Sequence, residues 1–474
     1  MRYQSARNNF PVLALARIFP RPLWSPQTAL INAPLQRGVV RWRAFGNHFN
    51  GFSDPAETVE TVPASHRIAS TPLKRGVNER RSSPRRLRCY DVSLFVLATL
   101  ISSRFQTHAA SLPARKVEDV VIYKDPKFYS SFPSIVKRAS GELLVAFRRA
   151  PERRALGEKT YSHTDPNSQL VLVRSRDGGK TWSQNPELIH AHPFGGSQDP
   201  CMVQLHDGTI LCTSYGWALL NADFAEHLAH SMRHGSFAFL GGFILRSKDG
   251  GNSWQGPLLP PHVPGDATVD IFSQPVPAFN RGAMCEGKDG RLYWVVVANT
   301  SAKPRKSGTH LLISSDQGTT WQYSCPVAQD DKITFNETSI YETPRGDLVA
   351  FMRTADFDDH TVIARSRNQG KSFEPWEDAG FQGHPHYALR LPDRRVLLVY
   401  GYRHPPLGIR ARVLEPECDN AASAQEIVLR DDGGSVDLGY PWATMLSKNR
   451  ALVVYYFNTH DGPRYIAGTI VAIE

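Results

Sequence analysis

The sequence predicts an all-β fold: a six-bladed β-propeller over residues 112–474, behind a disordered basic extension of residues 1–111. Two internal repeats predict the propeller, and a partition of charge predicts the extension. The first repeat reads SRDGGKTW (Ser175–Trp182), SKDGGNSW (Ser247–Trp254), SSDQGTTW (Ser314–Trp321) and SRNQGKSF (Ser366–Phe373). Each copy follows an alternating apolar run, at Leu170–Val173, Gly242–Leu245, His310–Ile313 and Thr361–Ala364. Such runs predict strands, and the Asp-Gly core predicts a tight turn leaving them. The aspartate hydrogen-bonds backbone amides of the turn, and glycine supplies the unusual torsions. Asn368 replaces the aspartate in the fourth copy. The aspartates Asp177, Asp249 and Asp316 are therefore expected to be structural rather than catalytic.

The second repeat is a turn followed by a strand: SGELLVAF, HDGTILCT, KDGRLYWV, RGDLVAFM, PDRRVLLV and SKNRALVV. Its turn positions are Gly141, Gly208, Gly290, Gly346, Arg394 and Asn449, with gaps of 67, 82, 56, 48 and 55 residues. Six hairpins at this spacing predict six four-stranded blades. The runs Val117–Tyr123 and Arg464–Ile473 are both strand-like. They are expected to meet in one blade and close the ring, because closure removes exposed sheet edges.

Residues 1–111 hold 16 Lys and Arg against 5 Asp and Glu, whereas residues 112–474 hold 39 against 40. The overall charge of +10 thus belongs to the extension, and the propeller has no basic excess for nucleic acid. Within the extension, Arg85, Arg86 and Arg88 precede the short apolar run Val92–Ser102 and the small residues Ala109–Ser111. The pattern matches a secretory signal and is too short for a membrane span, so the expected location is secreted or periplasmic. Met1 is the only methionine before Met202. Either the extension is real or the natural start lies further on. The six cysteines form no CxxC pair, which gives no support to a zinc or redox motif. Cys201 and Cys212 should lie on adjacent strands as buried thiols.

Aligning the hairpins selects the residues that line the axis. Nine positions before each turn stand Phe132, Asp199, Arg281, Glu337, Pro385 and Tyr440. One position earlier stand Ser131, Gln198, Asn280, Asn336, His384 and Gly439. Equivalent offsets imply similar depth, so Asp199, Arg281, Glu337, His384 and Tyr440 are expected to converge on one polar basin. The segment Tyr215–Leu240 contains Trp217, His227, His230 and His234, with a helix expected over Ala225–His234. It reads as a rim over the basin. No metal or other cofactor is called for, and the acidic loop Asp356–Asp359 reads as solvated.

The first repeat resembles the Asp-box of the sialidase superfamily, and the resemblance covers roughly Lys116–Glu474. It implies a tyrosine nucleophile beside a glutamate, an aspartate acid/base, and three arginines around a substrate carboxylate. FNETSIYETPRGDLVAFMR resembles the glutamate strand and the second arginine, which puts those roles on Glu337 and Arg353. DLGYPWATML resembles the tyrosine strand and puts the nucleophile at Tyr440. Asp165 is the only aspartate in the loop between Arg153 and Gln169, where the family has its acid/base.

One departure matters. The family's first arginine lies in a Phe/Tyr-Arg-Ile-Pro motif, and here that place reads Ser130-Ser131-Phe132-Pro133. Arg281, Arg148 and Arg149 are the candidates to replace it. The third arginine is Arg403 or one of those in Gly408–Arg412. The resemblance implies a retaining hydrolase that removes a terminal acidic sugar from glycans. Alternatives are another glycan-active enzyme, or a non-catalytic glycan-binding propeller.

Overall fold

The computed structural model describes residues 113–158, 164–221, 223, 227–228, 233–234, 236–301 and 303–474. The basic segment with its signal-like stretch, and most of the helix expected over Ala225–His234, lie outside the described residues. Six antiparallel sheets, one per blade, are found among the described residues. The first blade comprises Phe128–Lys137, Leu143–Pro151, Gln169–Ser175 and Glu187–His190. In the second, Gly196–Ser197 and Cys201–Gln204 share the inner place, followed by Ile210–Leu219, Phe237–Ser247 and Gln255–Leu258, with Arg233–His234 beside Phe237–Ser247. The third contains Cys285–Glu286, Leu292–Asn299, Ser307–Ser314 and Gln322–Ala328, and the fourth Thr334–Glu342, Leu348–Ala355, His360–Ser366 and Glu377–Gln382. The fifth contains His386–Arg390, Val396–Tyr402, Gly408–Leu414 and Glu426–Arg430. The sixth joins Gly439–Ser447, Arg450–Phe457 and Tyr465–Ile473 to Ala114–Tyr123.

That last pairing closes the ring as expected. Ala114 stands opposite Ile473 and Val120 opposite Gly468, so the start of the propeller is fastened to its end. The second strands of the blades read as continuous apolar runs, such as Leu143–Phe147, Leu292–Ala298 and Val396–Tyr400. Alternation is absent because both of their faces are buried between neighbouring sheets. Leu397 and Val399 of the fifth blade share one core cluster with Val453 and Tyr455 of the sixth.

The Asp-boxes occupy the turns between third and fourth strands of the first four blades. Asp177 Oδ1 accepts from the Thr181 amide at 2.9 Å and from the Ser175 hydroxyl at 2.9 Å. The Trp182 indole donates to the Gly179 carbonyl at 3.2 Å. Asn368 accepts from the Ser372 amide at 3.0 Å, so the amide substitutes for the carboxylate. Gly179 has φ 90°, which a side chain would strain.

The innermost strands of four blades share a defect that positions the site. Their ladders are interrupted between Ser131 and Ser134, between Phe335 and Thr338, and between Gly439 and Trp442. In the second blade the break separates Ser197 from Cys201. Phe132, Asp199 and Tyr440 are each followed by proline, which has no amide hydrogen for the ladder. All three adopt positive φ, at 56°, 25° and 55°. A bulge at this height re-aims the side chain, and the strain is held by the packed blades on either side.

Cys201 and Cys212 are buried free thiols on neighbouring strands, with Cys201 opposite Thr213 and Cys212 opposite Met202. Tyr215–Leu219 and Phe237–Leu240 continue the blade as a paired hairpin, with Trp217 buried. These parts of the expected rim segment belong to the sheet. Among the described residues no helix is long and apolar enough to cross a membrane, and no group of three or more His, Cys, Asp or Glu side chains is arranged to hold a metal ion.

Candidate active site

The bulge turns Tyr440 of the sixth blade toward Glu337 of the fourth. The phenol donates to Glu337 Oε1 at 2.5 Å. Arg353, on the strand beside Glu337, donates from Nη1 to Glu337 Oε2 at 2.8 Å and to Tyr440 Oη at 3.4 Å. Burial, reinforced by the negative charge of Glu337, pushes the phenol well above its usual pKa, with Arg353 and Arg403 acting in the opposite sense. The phenol is therefore neutral at rest, with its proton already directed at a carboxylate.

Arg403 donates to the Leu438 carbonyl at 3.0 Å and to Tyr456 Oη at 3.4 Å, and its guanidinium lies 5.3 Å from the Tyr440 ring centre. Arg410 and Arg412 have other partners. Arg410 donates to the Arg430 carbonyl, and Arg412 to Tyr400 Oη at 3.1 Å. Arg403 is thus the arginine beside the tyrosine. Arg281, from the ring position of the third blade, crosses the axis. Its Nη2 donates to the carbonyls of Pro133 and Tyr440 at 3.2 and 3.4 Å. Its guanidinium stacks 4.8 Å from the Tyr440 ring and 5.1 Å from the Trp442 ring.

Asp199 accepts from Tyr215 Oη at 3.0 Å through Oδ2, while its buried Oδ1 has no partner. Burial and the nearby Glu337 push its carboxyl up to about 7, against the pull of Arg281, Tyr215 and Arg148. Asp165 is differently placed. Arg153 binds its carboxylate through two bonds of 2.6 and 3.0 Å, and the Asn167 amide adds a third of 2.8 Å. Arg149 faces away from the basin: it lies 4.3 Å from the Phe128 ring and reaches Tyr123 Oη at 3.4 Å.

His384 does not stand free in the basin. Its Nε2 lies 3.2 Å from Asp359 Oδ1, and His404 Nε2 lies 3.2 Å from Asp359 Oδ2. Burial and the charge of Arg353 keep the His384 imidazole neutral, well below its ordinary pKa. Asp359 was not expected here, and its loop is partnered rather than merely solvated. Nothing local in the sequence joins a loop of the fourth blade to histidines of the fifth. A second unanticipated hub is Asp437, which accepts from Tyr129 at 2.8 Å and Tyr456 at 2.9 Å and forms an ion pair with Arg464 at 2.7 Å. The proline after Phe132, Asp199 and Tyr440 was the available sequence signal for their bulges. Two cavities of about 190 and 220 Å³ are both lined by Met284 and Tyr387, the first also by Met202 and Trp442, and Glu337 lines neither.

A ring of six blades, Asp-box turns and a tyrosine–glutamate–arginine cluster at its axis define a sialidase-like propeller. Residues 236–451 match the BNR repeat-like domain. A protein of unknown function from Dyadobacter fermentans, solved as a crystal structure, is 60% identical, with a TM-score of 0.75 over 76% of this chain and 100% of that one. The chain belongs to this family of BNR-repeat, sialidase-like propellers. A Hadza microbial sialidase is 17% identical, with a TM-score of 0.51 over 72% of this chain and 65% of that one. The NanB sialidase of Streptococcus pneumoniae is 14% identical, with a TM-score of 0.51 over 74% and 70%. At these identities the likeness to the two sialidases is one of fold. No curated protein matches the chain.

Proposed function

We propose that the protein is a retaining glycoside hydrolase that removes a terminal acidic sugar from a glycan. The observation that carries this reading is the Tyr440–Glu337 hydrogen bond of 2.5 Å, flanked by Arg353. In the first step Tyr440 Oη attacks the anomeric carbon and its proton passes to Glu337. The bond to the leaving oxygen breaks, and that oxygen takes a proton from the acid/base aspartate. In the second step the aspartate removes a proton from water, water displaces the tyrosine, and Glu337 returns the proton to the phenol. Two displacements at one carbon retain its configuration. A neutral nucleophile suits an anionic sugar, because a carboxylate in its place would repel the substrate.

Asp165 is the acid/base that the family resemblance supplies. Arg153 holds its carboxylate at 2.6 Å. A protonated Asp199, with a carboxyl near 7, is the second candidate for the first step. Glu337, Tyr440, Arg353, Asp199 and Arg281 are all buried, and Arg403 beside them is half-buried. On this reading the protein acts on glycans outside the cytoplasm, and the apolar run Val92–Ser102 behind its arginines is the supporting feature.

The test is hydrolysis of chromogenic sialosides, uronides and neutral glycosides, with the product anomer read by NMR. Turnover of an acidic glycoside with retention supports the reading. Turnover of neutral glycosides alone would move the substrate class to the alternative enzyme, and binding without turnover would leave a glycan-binding propeller.

A further inference from the structure

We propose, resting on the hydrolase reading above, that Asp437 is a positioning residue for the nucleophile. The buried carboxylate that fastens the last blade to the first also fixes the turn and the ring that aim Tyr440 at Glu337.

Asp437 lies two residues before the strand Gly439–Ser447 and is 2% exposed. Three donors from separate parts of the chain converge on its two oxygens. Tyr129, on the inner strand of the first blade, donates to Oδ2 at 2.8 Å. Tyr456, on the second strand of the sixth, donates to Oδ1 at 2.9 Å. The fully buried Arg464, just before the third strand of the sixth, lies 2.7 Å from Oδ2. The Arg464 carbonyl accepts from the Ser130 amide at 3.3 Å, so these partners meet at the seam where the ring closes. A carboxylate this deep carries a desolvation cost that is offset only when its oxygens are well bonded. All three elements must be in place for that.

Two routes run from this carboxylate to the nucleophile. The first is the main chain. The Asp437 carbonyl accepts from the Asn458 side chain at 2.8 Å, and the Leu438 carbonyl accepts from Arg403 at 3.0 Å. Gly439 follows at φ 112° and Tyr440 at φ 55°. A tyrosine at that torsion is strained, and it stays there only where its surroundings fix the chain. The second route is the Tyr456 ring. With its hydroxyl held by Asp437, this ring packs 5.8 Å from Tyr440 and 5.1 Å from Phe132, which meets Tyr440 edge-on at 4.7 Å. Tyr129 holds the same carboxylate from the first blade, and among the described residues its ring is not one of those packed on Tyr440.

The placement matters because one oxygen must face the anomeric carbon and also pass its proton to Glu337. Displacing a reacting group by about 1 Å costs on the order of 100-fold in rate. Asparagine at position 437 cannot keep the arrangement, because its amide offers a single acceptor oxygen to the three donors. Arg464 would retain Asp461 at 3.0 Å and Ser435 at 2.9 Å, so its charge is not left unpaired.

The test compares Asp437→Asn, Tyr456→Phe and Tyr129→Phe in the full chain. The measurements are melting temperature, kcat and KM on the best chromogenic glycoside, and NMR of ring-labelled tyrosine with the Tyr440 signal assigned from Tyr440→Phe. The two phenylalanine variants each lose one bond to the same carboxylate, so their melting temperatures should fall alike. Tyr456→Phe should lower kcat about 10-fold and Asp437→Asn about 100-fold with KM little changed, and both should move the Tyr440 signal. Tyr129→Phe should leave kcat and that signal as in the wild type. Equal losses of kcat in the two phenylalanine variants would overturn the assignment and leave Asp437 a fastener of the seam. An unmoved signal with full kcat in folded Asp437→Asn would do the same; where that variant does not fold, the phenylalanine pair decides. A raised KM with unchanged kcat in Tyr456→Phe would trace the effect to the lost 3.4 Å contact from Arg403 and also count against Asp437. The NMR arm needs no substrate. A wild type that hydrolyses nothing, with the Tyr440 signal moved by Tyr456→Phe and not by Tyr129→Phe, would sink the hydrolase reading and keep the positioning. An active wild type whose Tyr440 signal ignores all three substitutions would do the reverse.

Discussion

Replacing Tyr440 by phenylalanine separates chemistry from packing at this site. The ring keeps its edge contacts with Phe132 and Tyr456, at centroid distances of 4.7 and 5.8 Å, and its faces toward Arg281 and Arg403. What goes is one oxygen, which donates 2.5 Å to Glu337 and accepts 3.4 Å from Arg353. Glu337 retains its 2.8 Å bond to Arg353, so no buried charge is stranded. A hydrogen bond to a charged group contributes about 1.5–3 kcal/mol, and Tyr440→Phe should destabilise the fold by about 2 kcal/mol. In a propeller of this size that lowers the melting temperature by no more than about 5 °C. Activity should fall far more. Loss of the proton transfer alone removes about 10²–10⁴ in rate, and the covalent route is closed as well. The assay pairs thermal unfolding with kcat on the best chromogenic substrate and NMR of the product anomer. Wild-type turnover by Tyr440→Phe, or inversion by the wild type, would refute the tyrosine mechanism. A collapse of melting temperature larger than that of core truncations would show that the oxygen is structural.

The other predictions use the same assays. Asp165→Ala should slow substrates with poor leaving groups more than activated aryl glycosides; if Asp199→Asn shows that pattern and Asp165→Ala does not, the acid is Asp199. The Asp199 carboxyl is raised to about 7, so the folded protein binds a proton that the unfolded chain releases near pH 4. The stability from this group is complete below about pH 4 and is lost as pH rises through about 7. Asp199→Asn should flatten the denaturant-derived stability between these pH values, where the wild type loses up to about 1.4 kcal/mol per pH unit. Equal slopes in the two proteins would exclude that proton. In the third Asp-box, burial raises the Asp316 carboxyl, but hydrogen bonds from Thr320 and Ser314 outweigh it and hold the group at about 2. Its contribution is present above about pH 4 and lost as pH falls through about 2, so Asp316→Ala should lower the melting temperature at neutral pH and leave kcat/KM unchanged.

The repeat frames determined the blade count, because each turn needs glycine or an Asx side chain at a set offset from an apolar strand. Those local requirements are visible in one dimension. The same offsets put Tyr440 and Glu337 at one height, although 103 residues separate them. The strand-like ends likewise announced the closure that joins Ala114–Tyr123 to Tyr465–Ile473. The tertiary structure decided what offsets cannot carry. Only the fold brings Arg403 rather than Arg410 to the tyrosine, ties Asp165 to Arg153, and joins Asp359 to His384 and His404 across two blades. Arg281 and Arg148 were equal candidates as letters. They part company because one crosses the axis to backbone carbonyls, while the other is buried with its donors unused. A repeat specifies where a side chain stands along its strand. Its hydrogen-bond partners depend on which blades the closed ring brings within about 3 Å of it, and that distance is set by packing between sheets rather than by spacing along the chain.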